Sequence, residues 1–164
     1  MEIRLAQPEE FDAVGELTAE VYVGDGYIDP SADYVKELRN TAPRAAAAEV
    51  WVAVEGAGAD QAILGSVTNC PAGSPWKELA GDGEGEFRML AVAAAARGRG
   101  VGEALVRHCI ELSKAAGDRS MTLSTMDRMT GAHRVYGRLG FQRSPQEDWS
   151  PVSGVLLWAF RLVY

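Results

Sequence analysis

The residues best suited to chemistry lie in one short stretch, Arg97-Gly98-Arg99-Gly100-Val101-Gly102. It follows the apolar run Phe87-Arg88-Met89-Leu90-Ala91-Val92 and opens an amphipathic segment. Glycine lets a backbone approach a ligand closely and takes dihedrals that a Cβ disfavours. The start of a helix presents unpaired N–H groups and the positive end of its dipole, so it attracts anions such as phosphate. Arg97 and Arg99 add charge. The stretch therefore reads as a pyrophosphate cradle. Two familiar phosphate loops do not fit it. A P-loop carries Lys and then Ser or Thr after its last glycine, whereas Glu103 follows Gly102 here. A dinucleotide fingerprint needs a glycine at its sixth position, and counted from Gly98 that position also holds Glu103.

The same residues fit the pattern Arg/Gln-x-x-Gly-x-Gly/Ala, with Arg97, Gly100 and Gly102 in place. This resembles the coenzyme A loop of the GNAT superfamily of N-acyltransferases. A second stretch, Ala132-His133-Arg134-Val135-Tyr136-Gly137-Arg138-Leu139-Gly140-Phe141, is similar to that superfamily's Ala-x-x-Leu-Tyr-x-x-x-Gly-Phe segment. Tyr136 stands 36 positions after Gly100, in the order and at the separation the family uses. Short glycine patterns recur by chance, so it is the pair that carries weight. The resemblance covers most of the chain and is specific over residues 86–141. It implies an N-acetyltransferase that moves the acetyl group of acetyl-CoA to a primary amine, on a small molecule or a peptide, by direct attack while both are bound. Two other readings share the cradle: a non-catalytic acyl-CoA-binding sensor, and an acyltransferase that uses a longer acyl group.

Acyl transfer from a thioester to an amine needs a proton removed from the amine, an oxyanion stabilised and a proton given to the leaving thiolate. Tyr136 is the candidate acid and also a coenzyme contact, because a phenol donates well to a thiolate of similar basicity. A packed tyrosine with one hydrogen bond is the plainer reading. Glu86 is the candidate base, directly or through water, with Glu84 as its neighbour and a solvated strand-edge acid as the alternative. The resemblance implies that the backbone at Leu90, Ala91 and Val92 faces the thioester and the pantetheine arm, and a β-bulge there would aim it. It further implies that Arg97, Gly98, Arg99, Gly100, Val101 and Gly102 hold the pyrophosphate. His133 and Arg138 stand near the expected groove, and both also suit a solvated helix face. His108 has no assigned role. Met129 stands where the family often has Asn, leaving Asp127 or Thr130 to cap the helix. Ala93–Ala96 stands where a proline is usual. For the acceptor, the resemblance points to Tyr22, Asp25, Tyr27, Asp29, Tyr34, Trp76 and Trp149. Carboxylates mixed with aromatic rings suit a cationic or amphipathic amine.

Composition sets the frame. The chain has 164 residues, 47% of them hydrophobic, which suits one domain spanning 1–164 with a substantial core. The net charge of −7 argues against a nucleic-acid partner. No apolar run is long enough for a bilayer and the start lacks a secretory layout, so no membrane association and a cytoplasmic location are expected. Cys70 and Cys109 have no metal-ligand spacing and give no disulfide framework, so no metal is expected. Cys109 falls on the helix after the cradle with no histidine placed as its base, which speaks against a covalent cysteine route. Both monomer and homodimer fit the apolar run at 154–164.

Around these residues, periodicity predicts strands at 1–6, 49–55, 62–70, 86–92, 120–125, 141–144 and 155–163. It predicts helices near 8–22, from a cap at Ser31 to 39, at 100–116 and at 128–139. Alanine-biased patches at 45–48 and 93–96 are read as too short to matter. The order implies an α+β layered domain. With the resemblance it implies a mixed, mostly antiparallel central sheet of six to seven strands, helices on both faces, and a splayed parallel pair formed by the strands at 86–92 and 120–125.

Overall fold

In the computed structural model, which describes residues 1–164 apart from the side chain of Ala59, the strands are β1 (Glu2–Leu5), β2 (Glu49–Glu55), β3 (Ala62–Cys70), β4 (Glu84–Val92), β5 (Ser120–Met126), β6 (Gln142–Arg143) and β7 (Leu157–Val163). The helices are α1 (Phe11–Gly24), α2 (Asp33–Arg39), α3 (Thr41–Ala47), α4 (Val101–Ala115) and α5 (Thr130–Arg138). The strands form one sheet in the order β1-β2-β3-β4-β5-β7-β6, antiparallel at every step except β4–β5. The expected mixed sheet with one parallel pair is the sheet observed.

Strand alternation explains the layers. Successive side chains of a strand point to opposite faces. In β2, Val50, Val52 and Val54 pack with Val14 of α1, while Ala53 joins the core beneath α4. Helices therefore cover both faces. On the second face Leu105, Val106 and Cys109 of α4 meet Val67, Phe87, Met121 and Leu123. Burying each of the larger of these side chains contributes about 1.5–3 kcal/mol.

Strand β4 breaks the alternation at the point that matters for function. Phe87 lies in the α4-side core, yet Met89, two residues on, packs with Ala19, Val35 and Leu38 on the α1–α2 side. Pairing with β3 steps from Ser66↔Ala91 to Thr68↔Arg88, so β4 carries one extra residue there. This is a β-bulge. Met89 takes φ 54°, the one non-glycine positive φ among the described residues. Beyond it Leu90 and Val92 return to the α4 side. The parallel pairing of β4 with β5 runs only from Glu84↔Ser120 to Glu86↔Thr122, after which β5 pairs with β7 alone. Both strands continue past that point, so the edge of β4 beyond Glu86 borders an open wedge.

Several local expectations differ. The patch around 45–48 belongs to helix α3, which the sequence reading omitted; alanine is the best helix former, and the helix gains an anchor in Arg44, 1% exposed. Ser31 does not cap α2. Its N–H and hydroxyl donate to Asp29, and Ala32 occupies the cap position. Pro8 opens a 3₁₀ turn rather than α1. Glu10 in that turn accepts from Arg4 and from the Gln7 N–H. Helix α5 starts at Thr130 with Met129 as its cap residue, and neither Asp127 nor Thr130 supplies a side-chain cap bond.

His108 on α4 packs edge-on against Trp51, with 4.1 Å between ring centroids, and its Nε2 is buried without a partner. Burial lowers its pKa. Between the folded and unfolded pKa values the unfolded chain then binds more protons, so this group makes stability rise with pH up to about 6.5 and fall on acidification below it. Urea unfolding at about pH 7.5 and about 5.5 checks this: His108→Gln is expected to lose less stability on acidification than the parent chain. Equal losses would remove His108 as a contributor.

Candidate active site

The glycine stretch leaves β4 through a short 3₁₀ turn at Ala94–Ala96 and enters α4. Gly98 has φ 74° and Gly100 has φ 78°, in the left-handed region where a Cβ is strained. An added Cβ at either would meet nothing within 4 Å, so the dihedral, and not crowding within the protein, calls for glycine. Gly100 is the cap residue of α4, and no side chain caps that helix. The first N–H groups of a 15-residue helix therefore face out of the protein unpaired by any side chain. They open onto a groove of about 770 Å³. Its walls are Leu90 and Val92 of β4, Ala96 to Glu103 apart from Arg99, and Thr130, Gly131, Ala132, Arg134, Val135 and Arg138 of α5, with Val21, Tyr22, Asp25, Tyr27 and Met129 closing one end.

Most of the predicted coenzyme residues meet in this groove. Leu90, Val92, Arg97, Gly98, Gly100, Val101 and Gly102 all line it. Two do not. Ala91 is 1% exposed and pairs with Ser66 of β3, because the strand turns its side chain inward. Arg99 points away and holds Glu55 at 2.8 Å. Arg97 makes two bonds to the Asp25 carboxylate, at 3.1 and 2.8 Å, so an internal carboxylate occupies the guanidinium that a pyrophosphate would use. Arg138 also lines the groove, bonded to Glu103. His133 does not; its Nε2 sits 3.0 Å from the Met126 carbonyl and its ring stacks on Trp158. Exposed ion pairs are worth about 0–1 kcal/mol. Asp25→Asn is therefore expected to tighten acetyl-CoA binding about two- to fivefold by calorimetry, an effect that shrinks in high salt. Weaker binding would mean that Asp25 itself supports the ligand.

A second cavity, of about 340 Å³, lies on the α1–α2 side of the bulge. Met89 and Arg88 of β4 form its floor, and Ser124, Thr125 and Met126 of β5 form the opposite wall of the wedge. Tyr27, Ile28, Asp29 and Tyr34 close one side; Pro151, Val152, Val155 and Leu157 close another. Tyr22, Tyr27 and Met129 line both cavities, so the two join beside the bulge. Of the predicted acceptor residues, Tyr22, Tyr27, Asp29 and Tyr34 are here. Trp76 sits outside the lining with the Arg88 guanidinium 5.7 Å from its ring centroid, and Trp149 donates to Ser124. Arg128 clasps the loop after α1 by bonds to the Gly26 and Tyr27 carbonyls.

The two predicted catalytic side chains fare differently. Glu86 is 0% exposed, and the backbone N–H groups of Glu78, Leu79 and Ala80 donate to its carboxylate at 2.9–3.1 Å. It ties the loop before β4 to the sheet. A carboxylate sealed in this way has no opening to the cleft, so the expectation of Glu86 as an open base is corrected. Tyr136 is 4% exposed, its ring held among Phe87, Phe141 and Phe160. It is not among the residues that line the groove, and its hydroxyl makes no hydrogen bond among the described residues. Burial raises its pKa, keeping it protonated. It is close enough to Tyr22 for its charged form to disfavour ionisation of Tyr22.

Other parts of the site were not anticipated. Arg44 is buried under the bulge, donating to the Leu38 carbonyl at 3.2 Å and contacting the Met89 sulfur at 3.1 Å, with Nε unpartnered. Glu78 lines the second cavity and pairs with Arg88 at 2.6 Å, and burial raises its pKa. Both stand in segments with no motif, and only the fold brings them to β4. Cys70 and Cys109 are buried, and burial pushes the Cys70 thiol up to about 12 and raises that of Cys109 as well. Neither is poised as a nucleophile. Among the described residues, no helix is long and apolar enough to cross a membrane, and no group of three or more His, Cys, Asp or Glu is placed to hold a metal.

Comparison with known proteins agrees with this architecture. The profile of the acetyltransferase (GNAT) family matches residues 12–141, and the chain belongs to that family. Among solved structures, a GCN5-related N-acetyltransferase from Kribbella flavida is 26% identical, with 99% of this chain and 97% of that one covered and a TM-score of 0.70. A GNAT-family acetyltransferase from Staphylococcus aureus is 15% identical, with 96% of each chain covered and a TM-score of 0.71. A GNAT-family acetyltransferase from Brucella melitensis, solved with acetyl-CoA, is 21% identical, with 99% of this chain and 87% of that one covered and a TM-score of 0.63. No curated protein sequence matches the chain.

Proposed function

We propose that this acetyltransferase carries the acetyl group of acetyl-CoA to a primary amine by direct attack, with both substrates bound at once. The observation that carries the reading is the junction at Tyr22, Tyr27 and Met129, where a groove suited to a diphosphate and its arm meets a separate cavity beside the β4 bulge. The residues present fit the coenzyme. The α4 N-terminus, Gly98, Gly100 and Arg97 receive the diphosphate, and Leu90 and Val92 border the arm along the unpaired edge of β4. The Brucella relative was solved with the same ligand.

The coenzyme supplies an activated acyl thioester. Positioning by the two cavities supplies much of the rate. β4 has no β5 partner beyond Glu86, and residues 89–92, at and after the bulge, offer main-chain groups along that edge to polarise the carbonyl. Tyr136, kept neutral by burial, donates its proton to the departing thiolate. With Glu86 sealed, the proton from the amine leaves through water in the cleft. The buried free thiols suit a reducing, cytoplasmic setting.

A screen of amines with acetyl-CoA, read by free-thiol release and paired with calorimetry of coenzyme binding, tests this reading. Binding together with amine-dependent thiol release is the expected result. Binding without release from any amine would make the chain a coenzyme sensor, and no binding by the folded protein would overturn both.

A further inference from the structure

We infer that the acceptor is a monoamine with an apolar body, and that the carboxylate of Glu78 receives its ammonium group; this rests on the acetyl-transfer reading above. The charges of the second cavity decide the class. Three charged side chains line it: Asp29, Glu78 and Arg88. Asp29 stands at the exposed rim, where its Oδ1 accepts from the Ser31 N–H and the Ser31 hydroxyl. Deeper in, Glu78 faces Arg88 at 2.6 Å through Oε1. Two carboxylates and one guanidinium leave the lining a single net negative charge, which matches one ammonium. A polyamine would bring cations in excess of that charge. A carboxylate-bearing amine would compete with Glu78 for Arg88.

The rest of the lining is apolar or aromatic. Tyr27, Tyr34, Met126, Val155 and Leu157 surround about 340 Å³, enough for a short alkyl chain or a single ring. Val152 at the rim is 62% exposed, so the apolar surface continues outward from the cavity. Placement agrees with the reaction. Arg88, which holds Glu78, is one residue from Met89 in the bulge, and Leu90 on its other side lines the coenzyme groove. An amine seated at Glu78 is thus beside the carbonyl it must attack. The step balances simply. The ammonium gives up one proton, the free amine nitrogen bonds to the thioester carbon as the C–S bond breaks, and the nitrogen loses its second proton. The thiolate takes up one, leaving amide, coenzyme thiol and one proton released to solvent.

The test is a series of n-butylamine, n-hexylamine and n-octylamine, with 2-phenylethylamine, spermidine and L-phenylalanine, each assayed with acetyl-CoA by thiol release. The kcat/KM is expected to rise about three- to fourfold per methylene until the cavity is filled, the factor for burying one CH2. Phenylethylamine should exceed spermidine and phenylalanine at least about tenfold. Glu78→Gln should raise KM for the amine at least about tenfold, with kcat and acetyl-CoA affinity changing little. A loss of packing alone would lower the melting temperature without that selective rise in the KM for the amine. A flat alkyl series, or spermidine or phenylalanine as the better acceptor, overturns the inference while leaving acetyl transfer intact. Coenzyme binding with no thiol released by any amine overturns both.

Discussion

Tyr136→Phe is expected to lower turnover by about 10²- to 10⁴-fold while acetyl-CoA affinity changes little. The substitution removes one oxygen and leaves the ring among Phe87, Phe141 and Phe160, so the core it belongs to is retained. The hydroxyl makes no hydrogen bond among the described residues, so its loss strands no partner. A structural tyrosine in that setting would give a variant with normal stability and normal turnover. An acid for the thiolate would give normal stability and slow turnover. Steady-state kinetics with a good acceptor, run beside thermal melting and coenzyme calorimetry, separates the two. Unaltered turnover would remove Tyr136 from the mechanism. Because burial raises its pKa, no loss of activity from its ionisation is expected between pH 7 and 9.

The second large effect is at Gly100. Gly100→Val is expected to weaken acetyl-CoA binding by about 10²-fold or more, roughly 3 kcal/mol, while the protein still folds. A valine at φ 78° is strained by about 1–2 kcal/mol, within the reserve of most domains. Within the protein an added Cβ meets nothing within 4 Å. The branched side chain instead occupies the mouth of the α4 N-terminus, the position a diphosphate must reach to bond the free amides. Calorimetry on the folded variant measures it. Unchanged affinity would show that the coenzyme binds elsewhere, and the groove assignment would fall with it.

How much of this was legible beforehand depends on how local each feature is. The glycine turn into α4 was readable because it is set within six residues: two glycines at positive φ and a helix start. The strands themselves were readable because each carries its own apolar pattern, whereas their order in the sheet came only from the structure. Helix α3 was not, since a helix of seven residues anchored by one buried arginine has no amphipathic period to detect. Glu86 was misread for a similar reason. A glutamate opening a strand looks the same in sequence whether it faces a cleft or three backbone amides of a loop six to eight residues upstream.

The amino-acid sequence by itself determined the family, the mixed sheet and the glycine turn that opens α4, because dihedral preference, side-chain alternation and helix polarity act over a few neighbouring residues. The tertiary structure alone decided what surrounds the reacting centre. It placed the β4 bulge at Met89, took Glu86 out of the cleft, brought Glu78 to Arg88 and joined the two cavities at Tyr22, Tyr27 and Met129. Those contacts link residues far apart in the chain, and packing around the β4–β5 wedge is what selects them.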